Sequence, residues 1–196
     1  MKIKSLLAVA ALATFPLLSQ AGVVYKWRAL NDEQPRGITL ELEFDNRTVK
    51  QGSFSLELDQ SAGADFAPKR GLLSLRYTYP GSGEPMTYDA KTGGFDPVGL
   101  LSMRLTFEAD GFVTGRIFAA DVFQSIELAS VGSMFTIIDA ASDNGMSDCG
   151  WGYGTKCSGA TGYIQRVGEV PEPASVALMA LGGASLLSAR RRKSTR

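Results

Sequence analysis

Ile38-Thr39-Leu40-Glu41-Leu42-Glu43-Phe44 alternates apolar and polar side chains without a break. Successive side chains of a β-strand point to opposite faces, so the apolar members of this stretch share one face and the polar members the other. The stretch therefore predicts a strand with one buried and one solvated face. The same alternation returns at three further places in the chain: Phe54, Leu56 and Leu58; Leu73, Leu75, Tyr77 and Tyr79; Leu101, Met103, Leu105 and Phe107.

Further strands are predicted over residues 23–27, 112–118, 134–138 and 162–166. Glu108-Ala109-Asp110-Gly111 lies between two of the strands, and Asp-Gly suits a tight turn because both residues tolerate positive φ. Residues 105–118 are thus predicted to form a hairpin. Residues 119–130 are the nearest candidate for a short helix, although residues 125–128 fit a strand equally well.

Short strands, each with one apolar face, must bury those faces against one another. Clusters of Gly, Pro, Asp and Asn separate the strands, and crossover helices of the kind that parallel sheets need are missing from the pattern. The predicted fold is all-β: an antiparallel two-sheet sandwich or a jelly-roll-like variant, flanked by an N-terminal signal helix and a C-terminal transmembrane helix.

Both ends of the chain have the composition of targeting segments. Residues 1–21 combine a cationic start, an apolar stretch and Ser19-Gln20-Ala21, which predicts a signal peptide cleaved after Ala21; an uncleaved anchoring helix is the alternative. At the other end, Val170-Pro171-Glu172-Pro173 precedes an apolar segment at 174–189 and a basic end at 190–196 that begins Arg190-Arg191-Arg192-Lys193.

The 16 residues of the apolar segment fall just short of the roughly 17–25 that span a bilayer as a helix, but the cations after it can hold it in the membrane with its charged end in the cytoplasm. A buried C-terminal helix is the alternative reading. The order of motif, apolar segment and Arg cluster resembles the PEP-CTERM sorting signal of Gram-negative bacteria. The resemblance implies that the tail, residues 170–196, anchors the chain transiently in the inner membrane. It also implies that an exosortase cuts near Val170, Pro171, Glu172 and Pro173 and that the ectodomain passes to the cell surface or outside.

Residues 22–169 remain as one predicted domain, with 13 Lys and Arg against 19 Asp and Glu, a net charge of −6. This charge argues against nucleic acid as a partner. The whole chain contains no histidine, which removes Ser-His-Asp and Cys-His catalysis and His-ligated metals. Cys149 and Cys157 predict a local disulfide in an oxidising compartment, with two free thiols or half of a metal site as alternatives.

Two stretches of the domain are candidate ligand sites. The first is a loop with several carboxylate oxygens and one amide oxygen, the kind of ligand that calcium prefers. Calcium is the one cofactor that the sequence suggests. Its candidate ligands are Asp139, Asp143, Asn144 and Asp148. The glycine-rich loop between the cysteines presents Trp151 and Tyr153, which either stack on sugar rings or cap the core.

These features predict a non-enzymatic, secreted protein with a structural or adhesive role associated with exopolysaccharide or biofilm. The expected partners are the exosortase and extracellular polysaccharide. The alternative is a carbohydrate-binding module, either alone or with carboxylate-based glycosidase activity. Two carboxylate pairs offer themselves for it, Glu41 with Glu43 and Glu57 with Asp59, but both fall on predicted solvent faces, where charges protect sheet edges.

Overall fold

Strands dominate the computed structural model, which describes residues 22–60, 70–80, 84–96, 99–142, 146–147, 150–151 and 155–170. Only the backbone is described for residues 146–147, 150–151, 155–156 and 169–170. The predicted signal peptide, residues 1–21, and the predicted transmembrane segment and basic end, residues 174–196, lie outside the described residues. Within the described part of the chain, no helix is long and apolar enough to cross a membrane.

Fourteen strands and one helix make up the described chain. In chain order they are β1 Gly22–Ala29, β2 Thr39–Asp45, α1 Asn46–Gln51, β3 Ser53–Asp59, β4 Leu72–Thr78, β5 Met86–Asp89, β6 Gly94–Asp96, β7 Leu100–Phe107, β8 Val113–Ala120, β9 Gln124–Val131, β10 Met134–Ser142, β11 Met146–Ser147, β12 Gly150–Trp151, β13 Thr155–Cys157 and β14 Thr161–Val170.

The alternation of the sequence is expressed directly in these strands. In β3, Phe54, Leu56 and Leu58 are buried while the residues between them are exposed. The predicted hairpin at residues 105–118 is confirmed as β7 and β8, and its turn is closed by hydrogen bonds from Glu108 N to Phe112 O (2.9 Å) and from Gly111 N to Glu108 O (3.0 Å). Gly111 has φ of 86°, a backbone conformation that glycine adopts without strain.

Hydrogen bonding joins twelve of the fourteen described strands into one curled sheet. Its strand order is β3-β7-β8-β9-β10-β14-β1-β2-β4-β5-β6, with β13 beside β10, and β11 and β12 form a separate two-stranded ribbon. Every pairing among the described strands is antiparallel, so the all-β, antiparallel prediction is confirmed. The two separate packed sheets of a sandwich are not confirmed, because the same ladder runs on from β3 to β6.

Curling lets one face of the sheet pack against itself. Phe44 of β2 contacts Phe54 of β3 and Phe107 of β7 with ring centroids 5.1 and 5.0 Å apart, although β2 and β3 lie far apart in the strand order. Tyr25 of β1 also meets Phe107, at 5.5 Å. Edge-to-face aromatic pairs of this kind add about 0.5–1.5 kcal/mol each to the effect of burial.

Gln60 connects the two end strands of the sheet. Its side chain is completely buried; Nε2 donates to Gly93 O at 2.7 Å, and Oε1 accepts from Phe95 N at 2.8 Å. Gln60 directly follows β3, whereas Gly93 and Phe95 belong to the β5–β6 hairpin. The Gln60 side chain thus supplies hydrogen bonds to backbone groups at the opposite end of the sheet, where the order of the described strands ends.

The short helix α1 occupies a stretch that sequence patterning predicts as a strand breaker. Asp45 caps its start by accepting from Thr48 N at 2.6 Å, and Gly52 ends it in the left-handed region, φ 79°. In contrast, the helical option for residues 119–130 is wrong. Those residues are the end of β8, a turn at Asp121 and most of β9, held by the β8–β9 and β9–β10 ladders.

Candidate functional site

The first and last strands of the domain meet at what we call the processing junction, residues 22–24 of β1 and 168–170 of β14. In the register, Gly22 lies opposite Val170, Val23 opposite Glu169 and Val24 opposite Gly168. Gly22 is the first residue after the predicted signal-peptide cleavage, and Val170 is the first residue of the predicted sorting motif. The two predicted processing points therefore lie on adjacent strands, directly across from each other.

The two strands of the junction are held unequally. β1 is held on both sides, because Gly22 and Val23 also pair with Asp45 and Phe44 of β2. On the far side of β14, β10 pairs only with residues 161–163, Phe112 bridges Gln165, and Arg166 N donates to Gly111 O at 2.8 Å. Beyond Arg166, the pairings found among the described residues run to β1 alone.

Backbone pairing on one side only therefore holds the end of β14. A backbone hydrogen bond contributes a net ~0.5–1.5 kcal/mol, so breaking two of them there costs about 1–3 kcal/mol. β14 ends at Val170 because the next residue, Pro171, has no N–H to donate to a ladder. An extended segment next to a motif is a form in which proteases bind substrate strands.

A carboxylate lies over the start of β1. A Cβ atom at Gly22 would come within 1.9 Å of Glu43 Oε1, so only glycine fits here while Glu43 keeps its position. Glu43 is itself held by Ser74, whose Oγ donates to Glu43 Oε2 at 3.1 Å. Deeper in the same two strands, burial raises the pKa of Tyr25, and Arg166, its neighbour in the register, partly opposes that rise.

Most of the residues predicted for sorting and for ligands fall outside the described part. Val170 is the last residue of β14, whereas Pro171, Glu172 and Pro173 and the basic stop at Arg190, Arg191, Arg192 and Lys193 lie outside the described residues.

Cys157 and Trp151 are the described members of the loop predictions. Cys157 is buried in β13 with Sγ 3.2 Å from Tyr79 Oη. Cys149 lies outside the described residues, so the disulfide stays a prediction. Trp151 belongs to β12 and pairs through its backbone with Met146; Tyr153 lies outside the described residues.

For the calcium prediction, Asp139 is half-buried in β10, opposite Glu127 and next to a bulge that follows Ile137. Asp143, Asn144 and Asp148 lie outside the described residues. Among the residues that are described, no group of three or more Cys, Asp or Glu side chains could hold a metal ion. The calcium site stays a prediction.

The four carboxylates considered for glycoside hydrolysis lie on the solvent side of β2 and β3, as predicted. Glu41 pairs with Lys26 at 2.6 Å, and Glu57 pairs with Arg104 at 3.2 Å. With Glu43 bonded to Ser74, these side chains act as partners of their cross-strand neighbours, which is the ordinary role of charges on a sheet surface.

A second site lies on the outer face of β7, β8 and β9, and we call it the Phe118 groove. It is a depression of about 400 Å³ lined by Ser102, Arg104, Arg116, Phe118 and Glu127. Phe118 lies at its centre, opposite Ser102 on one side and Glu127 on the other. The ring is half-buried on the solvent side of β8, because the inward positions of that strand are taken by Val113, Ile117 and Ala119.

Two ion pairs lie at the groove, Arg104 with Glu57 and Arg116 with Glu127, and all of these side chains except Glu57 line it. The two arginines lie directly opposite each other on β7 and β8, an arrangement that is unfavourable for like charges unless partners offset it. Each has one: Arg104 pairs with Glu57 at 3.2 Å, and Arg116 Nε donates to Glu127 Oε1 at 3.0 Å.

Sequence reasoning did not identify this groove, although a signal was present. Once β8 is predicted, Val113, Ile117 and Ala119 fix its inner face by period two, and Phe118 must then lie outside. A single exposed apolar side chain is ordinary, so Phe118 indicates a site only together with its neighbours. The neighbours of Phe118 in the groove depend on the register, which local pattern does not provide.

One comparison with known proteins gives a result. Residues 169–193 match the family model of the PEP-CTERM protein-sorting motif, which confirms the resemblance seen in the sequence. The match begins inside β14, at the residue opposite Val23. No curated protein and no solved structure matches the chain. The motif implies export, a membrane-anchored sorting signal at the C-terminus and processing by an exosortase.

Proposed function

We propose that this chain, a protein that carries the PEP-CTERM sorting motif, is anchored transiently in the inner membrane, cut by an exosortase and delivered to the cell surface or the extracellular matrix. There the β-domain serves as a structural or adhesive component associated with exopolysaccharide. The signal peptide and the tail are export and sorting signals that are removed, and the mature protein is the curled sheet between them.

The observation that carries this proposal is the position of the motif. The match to the family begins at residue 169, and β14 extends to Val170, so the folded domain runs directly into the processing region. A protease that acts at the membrane must then cut within a few residues of a folded sheet. The weakly held end of β14 supplies the extended segment that such a cut needs.

The working protein is proposed to have no enzymatic activity and to need no cofactor, with calcium as the one candidate ion. In support, the chain contains no histidine, which removes the commonest acid-base and metal-binding side chain. The disulfide between Cys149 and Cys157 is proposed to form after export, where it would fix the loop that carries Trp151 and Tyr153.

Fractionation of cells with and without the exosortase tests the proposal. With the exosortase, the protein is expected in the surface or extracellular fraction; without it, the protein is expected to stay in the inner membrane. Replacing Pro171, Glu172 and Pro173 together by alanine should reproduce membrane retention in cells that contain the exosortase. The same extracellular release from all three strains would contradict the proposal.

The second candidate function is that of a carbohydrate-binding module. The Phe118 groove favours it, because an aromatic ring bordered by hydrogen-bonding side chains is a common way to hold a sugar. Glycosidase activity would in addition need two carboxylates facing each other across a bound sugar, about 5–10 Å apart. Four of the described carboxylates, Glu41, Glu43, Glu57 and Glu127, pair instead with neighbouring side chains along the sheet.

A further inference from the structure

We propose that the Phe118 groove binds a neutral polysaccharide, with the C–H face of one pyranose ring on Phe118 and the hydroxyl groups of the sugar on Arg104, Arg116, Glu127 and Ser102. None of its lining residues belongs to the stretch that carries Trp151 and Tyr153. The choice of a polysaccharide as ligand rests on the proposed function, which delivers the domain to a polysaccharide matrix. The physical case for the site rests on the groove alone.

The shape of the groove suits an extended polymer of rings. Its volume of about 400 Å³ lies within the range of about 300–1,000 Å³ that is usual for ligand sites. The flanking outward positions on the side away from the arginines are small: Ala120 follows Phe118 on the same face of β8, and Ser125 lies opposite Ala120. The Phe118 ring therefore has small side chains along one edge and the long side chains of Arg104 and Arg116 along the other.

The chemistry of the lining suits hydroxyl groups. Ser102 can donate and accept, the guanidinium groups donate, and Glu127 accepts, which covers both needs of a sugar hydroxyl. Arg104 and Glu57 are 76% and 70% exposed, so water screens their ion pair and the two side chains can rearrange when a ligand arrives. Arg104 has N–H donors beyond the Nη2 used for Glu57, and Arg116 has donors beyond the Nε and Nη2 that both bond Glu127 Oε1.

The charge of the groove favours a neutral polymer over an acidic one. The lining holds two arginines and one carboxylate, and each arginine is paired: Arg116 with Glu127 inside the lining and Arg104 with Glu57 just outside it, so the site together with its ion-pair partners has no net charge. The domain around it, residues 22–169, carries a net charge of −6, which repels polyanions at long range. A neutral sugar meets the aromatic ring and the hydrogen-bonding groups without that penalty.

Binding is tested with the full chain purified in detergent. The probes are soluble neutral glucans and a galactomannan immobilised in native gels, with polygalacturonate as the acidic probe. Wild-type protein is expected to be retarded by at least one neutral polymer. Phe118→Ala should weaken that retardation about tenfold, which corresponds to the loss of one aromatic stacking contact. Phe118→Tyr should restore it.

Phe123→Ala is the matched control. Phe123 is 59% exposed and lies in the turn between β8 and β9, outside the lining of the groove, so its loss should leave retardation unchanged. Far-ultraviolet circular dichroism and melting temperature show whether each variant is folded. Arg116→Gln, which keeps a donor but removes the charge, should weaken binding less than Phe118→Ala.

Three results would overturn the proposal: no retardation of wild type by any neutral polymer, equal retardation of wild type and folded Phe118→Ala, or retardation by polygalacturonate alone that disappears with salt. None of them depends on where the protein is delivered in the cell. Failure of this site is therefore distinguishable from failure of the export proposal, which is measured by fractionation.

Discussion

Replacing Gln60 by methionine should destabilise the domain strongly, because this side chain joins the two ends of the sheet. Methionine has nearly the same volume and no strong hydrogen-bonding atoms, so the change removes the hydrogen bonds and leaves no cavity. Gly93 O and Phe95 N, bonded to the side chain at 2.7 and 2.8 Å, would be left without it in a buried site. Each orphaned backbone group costs about 1–3 kcal/mol, part of which the apolar methionine offsets, so we expect a loss of about 2–4 kcal/mol.

For a domain of this size, 1 kcal/mol shifts the melting temperature by about 2–4 °C, so Gln60→Met should melt about 4–16 °C below wild type. Differential scanning calorimetry and urea denaturation give the two independent readings. Gln51→Met is the control: Gln51 is exposed at the end of α1, and its replacement should change stability by less than about 0.5 kcal/mol. If Gln60→Met melts within about 1 °C of wild type, the side chain does not hold the sheet ends together, and the account of how the sheet closes is wrong.

Two further predictions concern pH and the processing junction. Burial raises the pKa of Tyr77 well above 10.0. The unfolded chain therefore ionises this tyrosine first above pH 10, and its contribution to stability, complete below that pH, is lost as the pH rises, by about 1.4 kcal/mol per pH unit. Tyr77→Phe should flatten this alkaline loss of stability in melts between pH 9 and 12. At pH 7 the substitution should cost no stability, because the Tyr77 hydroxyl has no hydrogen-bond partner among the described residues. An unchanged slope of stability against pH in the alkaline range would contradict the burial argument. Gly22→Ala should displace the Glu43 carboxylate and lower stability by about 1 kcal/mol. Gly168→Ala is the control, because a Cβ atom added there has no neighbour within 4 Å, and it should leave stability unchanged. Equal melting temperatures of the two variants would show that Glu43 does not constrain the start of β1.

Local patterns in the sequence predict the strands whose alternation is complete. Residues 38–44 and 105–118 are examples: β2 and the β7–β8 hairpin form where period two and an Asp-Gly turn indicate them. β5 and β6, of four and three residues, escape prediction because so few side chains cannot establish a period. The helix α1 escapes for the same reason, although Asp45 and Gly52 bear its capping signals.

The order of the strands is not contained in any local pattern. β1 pairs with β14 across nearly the whole described chain, and β3 pairs with β7 after β4, β5 and β6 have been added at the far end. Apolar faces specify that strands bury one side, and a continuous curled sheet satisfies this requirement as well as a sandwich does. The alternation pattern thus predicts an all-β fold but does not predict the number of sheets.

The candidate sites divide in the same way. The sorting motif is linear, so the sequence alone identifies it, and the family match confirms it. Its position beside Gly22 and the surroundings of Phe118 and Gln60 depend on contacts between distant strands, which only the register provides.

The central claim is that the motif is a cleavable sorting signal that directly follows a folded domain. Intact-mass and C-terminal peptide analysis of the protein, from cells with and without the exosortase, tests it most directly. We expect a released chain that begins at Gly22 and ends within a few residues of Val170 when the exosortase is present, and a membrane-bound chain that retains residues 174–196 when it is absent. Recovery of a chain that retains residues 174–196 from both strains would contradict the claim.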